Sequence, residues 1–157
     1  MDIAFEIKAQ LENDWIPTLY YEKVRSGRTR SYLLEIPERE NSAEILYTLL
    51  GIELKIGNKR FSCPDLATAR YLSIFARLGC RKFAVPYDIT QISVIADEME
   101  TAWHRTLLAL DLTAKTASAQ ARGRARAALL RGIRNEIAEI GPGDAMPEFK
   151  QSTKQRR

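Results

Sequence analysis

The sequence predicts an α+β fold in which two antiparallel β-hairpins and an edge strand pack with about four helices, followed by a basic helical C-terminal extension and a disordered tail. Three observations support this prediction. Apolar residues alternate in runs on either side of turn-forming residues, which is typical of hairpins. Other apolar residues recur every three or four positions, which is typical of helices. Basic residues are concentrated toward one end of the 157-residue chain.

The first two predicted elements are a helix and a hairpin. Asp2 can cap a helix over residues 3–11, in which apolar residues recur every four positions; because they also alternate, a strand is the alternative. Two runs rich in tyrosine and aliphatic residues, 18–24 and 31–36, flank a basic, glycine-containing segment, 25–30. This arrangement is typical of a hairpin with a basic tip.

A short helix and a second hairpin follow. Aliphatic residues at helical spacing predict the helix over 42–50, capped by Asn41 or the serine after it and stopped by Gly51. The hairpin comprises residues 52–63, whose first strand alternates apolar and charged residues. Its two-residue turn begins at Gly57, where a glycine suits a type II′ turn.

Three further elements complete the predicted domain. A largely apolar helix covers residues 65–78 and is closed by Gly79. A short strand is predicted over 82–87, where a proline places it at a sheet edge or marks its end. Asp88 then caps a long amphipathic helix that ends near Leu110.

The predicted domain organisation follows the distribution of charge. We expect a compact domain over residues 1–110, a basic amphipathic helical extension over 111–141 and a disordered basic tail over 142–157. Residues 1–100 contain 13 basic and 15 acidic side chains, whereas residues 101–157 contain 11 basic and 5 acidic ones. The basic character therefore belongs to the C-terminal end of the chain.

The leading functional hypothesis is a non-enzymatic protein that contacts nucleic acid, or a nucleoprotein assembly, through its C-terminal helix. Basic side chains that neutralise phosphates release counterions, and tyrosines in the first hairpin can stack on bases. The residues expected to bind nucleic acid are Arg25, Arg28, Arg30, Arg122, Arg124, Arg126, Arg131 and Arg134. An ordinary solvated basic face, or an anionic protein partner, is the alternative for the same pattern.

A second hypothesis uses the other side of the same helix. Apolar residues lie opposite the arginines when successive residues are turned by about 100°. If the helix does not pack on its own domain, this side needs a partner protein or a second copy of the chain, which makes the protein an adaptor or an oligomeric subunit. The residues of this predicted protein interface are Leu129, Leu130, Ile133, Ile137 and Ile140.

A third hypothesis is a metal-dependent nuclease. Glu53 and Lys55 lie on one face of a predicted strand, and Glu35 precedes them as a further acid. In restriction-type nucleases, acids in this pattern bind Mg²⁺ and the lysine positions or activates water. The pattern is also common on exposed sheet faces, and the predicted helix over 42–50 separates the pair from the earlier acid. We therefore expect a binding protein and assign no catalytic residue.

The remaining features predict neither a cofactor nor a metal site. Cys63 and Cys80 are too few for a disulfide framework, and together with His104 they offer few ligands for zinc. No apolar run approaches the length of a membrane-spanning helix, and the first residues do not resemble a secretion signal. We therefore expect a cytoplasmic protein that does not contact a membrane.

Overall fold

Residues 2–143 are described by the computed structural model, and they form five α-helices and five β-strands in two antiparallel sheets. The predicted α+β class is confirmed. The helices are α1 Ile3–Leu11, α2 Ile16–Leu19, α3 Leu66–Leu78, α4 Ile89–Thr113 and α5 Ala119–Ile140. The strands are β1 Thr29–Leu33, β2 Ala43–Thr48, β3 Gly51–Ile56, β4 Lys59–Cys63 and β5 Lys82–Pro86. From residue 144 onward, the predicted disordered tail lies outside the described residues.

The two sheets differ in how far apart their strands lie in the sequence. β2, β3 and β4 follow one another and form a meander. The predicted hairpin over 52–63 is confirmed as its second half, and Gly57 adopts the positive φ of 59° that its turn requires. β1 pairs with β5, although the whole meander and α3 lie between them in the chain.

The first predicted hairpin is wrong. Residues 18–24 are helical, because α2 continues directly into a π-helical stretch, Tyr20–Val24. Pro17 lies in the first turn of α2, where its missing N–H group is not needed. Tyr20 and Val24 are four residues apart and are both buried, as on one side of a helix. The basic segment after them is therefore a loop between a helix and a strand, not a hairpin tip.

The predicted short helix over 42–50 is also wrong, because these residues form β2 and the turn that leads into β3. Every residue of β2 pairs with a residue of β3, so long-range pairing overrides the local helical spacing. The Thr48 hydroxyl closes the turn: it accepts from the Leu50 N–H at 3.2 Å and donates to the Gly51 carbonyl at 3.0 Å. Leu49 and Leu50 lie fully exposed at its tip.

The predicted starts of α1, α3 and α4 are confirmed by their capping residues. Asp2, Asp65 and Asp88 accept hydrogen bonds from backbone N–H groups in the first turns of α1, α3 and α4. Gly79 adopts the left-handed conformation that ends α3. α4 continues past its predicted end, to Thr113. None of the helices in the described part of the chain is long and apolar enough to cross a membrane.

The core lies between the helices and the inner faces of the sheets. Phe75 of α3 stacks on Phe83 of β5, with ring centroids 4.2 Å apart, and Tyr20 meets Phe75 edge-on. The Tyr20 hydroxyl accepts a hydrogen bond from the Ala84 N–H at 2.7 Å and donates one to the Gly141 carbonyl at 2.6 Å. This side chain thereby ties β5 to the residue that follows α5.

The C-terminal helix α5 is part of this core, because it packs against α1, α2 and α3. The side chains that it buries there are Leu129, Leu130, Ile133 and Ile137. Gly132 permits the close approach to α1, since a Cβ atom at this position would lie only 2.9 Å from the Cβ of Ala4. The predicted extension therefore folds back on the preceding elements and shares their core.

Candidate functional site

A cleft with a cationic lining lies between α5 and the turn that joins α3 to β5. Its volume is about 360 Å³, and Gly79 and Cys80 form part of its wall. Two of its cations come from α5, one from the turn before β5 and one from the first residue of β5. The charged and amide side chains of this cationic cleft are Glu38, Arg81, Lys82, Arg131, Arg134 and Asn135.

Arg134 is held in place by the end of α3. Its Nη1 atom donates a hydrogen bond to the Leu78 carbonyl at 2.8 Å, and this carbonyl belongs to the last turn of the helix, where partners within the helix are missing. Burial raises the pKa of the neighbouring Cys80 thiol to about 12, although the Arg134 charge lowers it in part. The position of this cation is therefore set by the backbone of α3.

The opposite side of the cleft is fixed by backbone contacts. The Arg81 carbonyl accepts a hydrogen bond from the Leu34 N–H at 2.7 Å. Gly79 lies so close to Arg39 that a Cβ atom would approach three of its backbone atoms to less than 3.0 Å. The loop that carries Glu38 and the turn that leads to Arg81 are therefore packed directly against each other.

The cations of the cleft lack carboxylate partners in the described part of the chain. Within residues 2–143, none of Arg81, Lys82, Arg131 and Arg134 forms a salt bridge, and the first three are exposed. Glu38 is the one acid among the lining residues, and it forms no salt bridge within this range either. Four positive charges and one negative charge around a single volume create a positive potential that attracts anions.

The other arginines predicted on α5 have different surroundings. Arg126 donates hydrogen bonds to Glu40 at 2.8 and 2.9 Å, which raise its pKa. Arg122 donates to two carbonyls just after α4, at 3.1 and 3.2 Å, and so stabilises the end of that helix. Arg124 is exposed. It lies two helical turns before Arg131, on nearly the same side of α5.

The structure does not bring the arginines of residues 25–30 to the cleft. Arg28 lies over the ring of Tyr87, 5.6 Å from its centroid, and Arg30 is exposed on β1. Arg25 is half-buried beside the helix that precedes it. Tyr20 is buried, so it cannot offer its ring to a base. The predicted basic surface is therefore divided, and of its arginines only Arg131 and Arg134 line the cationic cleft.

Sequence reasoning missed Arg81 and Lys82, which supply half of the positive charge of the cleft. They belong to the first hundred residues, whose basic and acidic side chains nearly balance, so no local excess of charge marked them. The signal that could have found them is a basic pair that begins two residues after a helix-ending glycine, Gly79. Such a pair must lie at the end of a helix, on the surface.

The residues predicted for a nuclease are not brought together as a metal-binding group. Glu53 and Lys55 lie on the face of β3 opposite to the buried Leu54, as alternation predicted. However, Glu53 accepts a hydrogen bond from Arg60 at 3.3 Å, and Glu35 contacts this region through its backbone carbonyl only. Among residues 2–143, no group of three or more His, Cys, Asp or Glu side chains is arranged to hold a metal ion.

The apolar residues predicted as a protein interface face inward. Leu129, Leu130, Ile133 and Ile137 are buried, and Ile140 is half-buried against the same core. A partner could reach them only if α5 left its place on α1 and α2. The hypothesis of an adaptor that uses this side of the helix therefore has no exposed surface to support it.

Two buried titratable groups, Cys80 in the wall of the cleft and Tyr20 in the core, predict that stability falls at alkaline pH. Burial raises the pKa of the Cys80 thiol from 9.0 to about 12 and that of the Tyr20 hydroxyl from 10.0 to about 12. Both groups bind their proton more tightly in the folded state, so their stabilisation is complete below about pH 9 and is lost as the pH rises toward about 12.

Urea unfolding at a series of alkaline pH values measures this loss, which we expect to be on the order of a few kcal/mol. Cys80→Ala should flatten the pH dependence, because the thiol no longer titrates. The same slope in the variant and in the unaltered protein would contradict the assignment of the effect to Cys80.

The cationic cleft has the chemistry of an anion-binding site. Guanidinium and ammonium groups donate charge-assisted hydrogen bonds to phosphate or carboxylate oxygens. The Asn135 amide adds neutral donors and an acceptor beside them.

No known protein family, curated protein sequence or solved structure matches this chain.

Proposed function

We propose that this protein is a non-enzymatic nucleic-acid-binding protein that contacts the phosphate backbone through the cationic cleft. The observation that carries the proposal is the convergence of Arg131 and Arg134 on α5 with Arg81 before β5 and Lys82 at its start, without salt bridges in the described residues. Unpaired cations that approach phosphates release counterions, and this release drives binding.

The proposed contact surface continues along α5 beyond the cleft. Arg124 and Arg131 are seven residues apart, so they lie about 10 Å apart along the helix axis and on nearly the same side. Both are exposed. A nucleic-acid backbone that leaves the cleft along α5 therefore meets a further cation. Arg122 and Arg126 are excluded from this surface, because backbone carbonyls and Glu40 already bind them.

Salt-dependent binding of labelled DNA and RNA tests the proposal. We expect Arg131→Ala to weaken binding about fivefold and to lower the slope of log affinity against log salt by about 1, because one phosphate contact is lost. Arg131 is exposed and without a salt bridge in residues 2–143, so the variant should fold normally. Fluorescence anisotropy at several salt concentrations gives both quantities.

Arg60→Ala is the matched control. It removes the same charge from an exposed arginine of β4, which pairs with Glu53 and does not line the cleft. Binding by this variant should equal that of the unaltered protein. Equal losses in both variants would mean that net charge alone causes retention, and unchanged binding by Arg131→Ala would exclude the cleft.

We further propose that this binding protein is cytoplasmic. Cys63 and Cys80 are both free thiols, which fits a reducing compartment.

A further inference from the structure

We infer that the cationic cleft receives the terminal phosphate monoester of a nucleic-acid strand, and that Glu38 excludes a backbone that continues beyond it. This inference rests on the proposed function, since it names the part of the nucleic acid that enters the cleft. Three observations support it: the place of Glu38 in the lining, the size of the cleft and the balance of its charges.

Glu38 is held at the cleft by the structure of its own loop. The Arg39 N–H donates to the Pro37 carbonyl at 2.9 Å, and the Asn41 side-chain amide donates to the Arg39 carbonyl at 2.5 Å. These bonds close a turn around Glu38, and the backbone of Arg39 packs against Gly79 in the wall of the cleft. The backbone at Glu38 is therefore fixed beside the cleft, and its exposed carboxylate is part of the same lining as the four cations.

The cleft is small for a continuous strand. Its volume of about 360 Å³ lies at the lower end of the range of roughly 300–1,000 Å³ that is usual for small-ligand sites. One phosphate with part of its nucleotide fits such a volume, whereas a duplex does not. The cleft is therefore suited to a single phosphate group and not to several consecutive ones.

The charges of the lining favour a monoester over a diester. A phosphate monoester carries about −1.5 to −2 charges at neutral pH, because its second pKa is about 6. A diester within a strand carries one negative charge and must be followed by a second phosphate. An internal diester is flanked by phosphates on both sides, whereas a terminal phosphate has a neighbour on one side only, which can leave along α5. One of the two flanking phosphates of an internal diester would therefore approach Glu38, which lines the cleft, and like charges repel. Glu38 thus leaves room for a terminal phosphate and opposes a phosphate that follows it.

Oligonucleotides that differ only in their ends test this inference. We would compare labelled single strands with a 5′-phosphate, a 3′-phosphate or no terminal phosphate by anisotropy. A terminal phosphate at one end should strengthen binding about fivefold, in line with one or two partly exposed ion pairs. Glu38→Gln should strengthen binding of the unphosphorylated strand about threefold. It should strengthen binding of the phosphorylated strand less, because that strand does not pass Glu38, and the preference should therefore fall.

Glu35→Gln provides the matched control, because Glu35 is exposed near the same loop and does not line the cleft. It should leave the preference unchanged. A nucleoside monophosphate and inorganic phosphate are added as competitors, and both should compete much more weakly than the phosphorylated strand. Equally strong competition by the free nucleotide would overturn the inference in favour of a small-molecule ligand.

The failures of the two proposals are distinguishable. If all strands bind equally well and Arg131→Ala still weakens them, the inference fails and the proposed function stands. If Glu38→Gln leaves the preference intact, the role assigned to Glu38 is overturned. If no strand binds in a salt-dependent manner, the proposed function fails and the inference with it.

Discussion

Replacing Ile133 by Ala is expected to lower the free energy of unfolding by roughly 2–5 kcal/mol. The Ile133 side chain is fully buried, and the helix that carries it packs against α1, α2 and α3. Removing its outer carbons loses the transfer free energy of these atoms and leaves a cavity. Because small domains are stable by only about 5–15 kcal/mol, the effect should be large in urea unfolding.

Leu112→Ala is the control for this experiment. Leu112 is also an aliphatic residue of a helix, but 62% of it is exposed, so the change should be within about 0.5 kcal/mol. Size-exclusion chromatography of all three proteins should show the same oligomeric state. If Ile133→Ala instead dissociates an oligomer and leaves the stability of the monomer unchanged, the apolar side of α5 binds a partner and not its own domain.

Replacing Gly79 by Ala is expected to lower the free energy of unfolding by at least about 3 kcal/mol. The residue has a φ of 83°, which strains any side chain with a Cβ atom. In addition, the Cβ atom would collide with the backbone of Arg39, which cannot move aside as a flexible side chain can. The loop of Glu38 and the turn before Arg81 would then separate, and the cleft would open.

Gly57→Ala separates the effect of backbone strain from the effect of the collision with Arg39. Gly57 also has a positive φ, 59°, but nothing lies within 4 Å of a Cβ atom there. This variant should therefore lose only about 1 kcal/mol, from backbone strain alone. Equal losses in the two glycine variants, measured by urea unfolding, would contradict the close packing of the Arg39 backbone against Gly79.

Much of the fold could be predicted because its signals are local. Asp65 and Gly79 mark the two ends of α3, and alternation with a central glycine marks the hairpin over 52–63. The residues before β1 and those of β2 were assigned wrongly, because short apolar runs fit a strand and a helix equally well. The partner of β1 could not be foreseen, since β5 lies far along the chain.

The candidate site could be predicted only in part. Arg131 and Arg134 were identifiable from the basic face of α5, but nothing in the sequence shows that α5 docks beside Arg81 and Lys82. Equally, the sequence cannot show that Arg126 is bound by Glu40, because the two residues are distant in the chain. Which cations remain available to a ligand is decided by tertiary contacts.

The central claim is that cations from two distant segments bind one phosphate group in the cationic cleft. A double-mutant cycle on Arg81 and Arg131 tests it most directly, with nucleic-acid affinity as the measured quantity. Two residues that contact the same phosphate should be coupled, so the loss in the double variant should differ from the sum of the single losses by more than about 0.5 kcal/mol. Additive losses within that limit would mean that the two arginines act separately, and they would contradict a shared site.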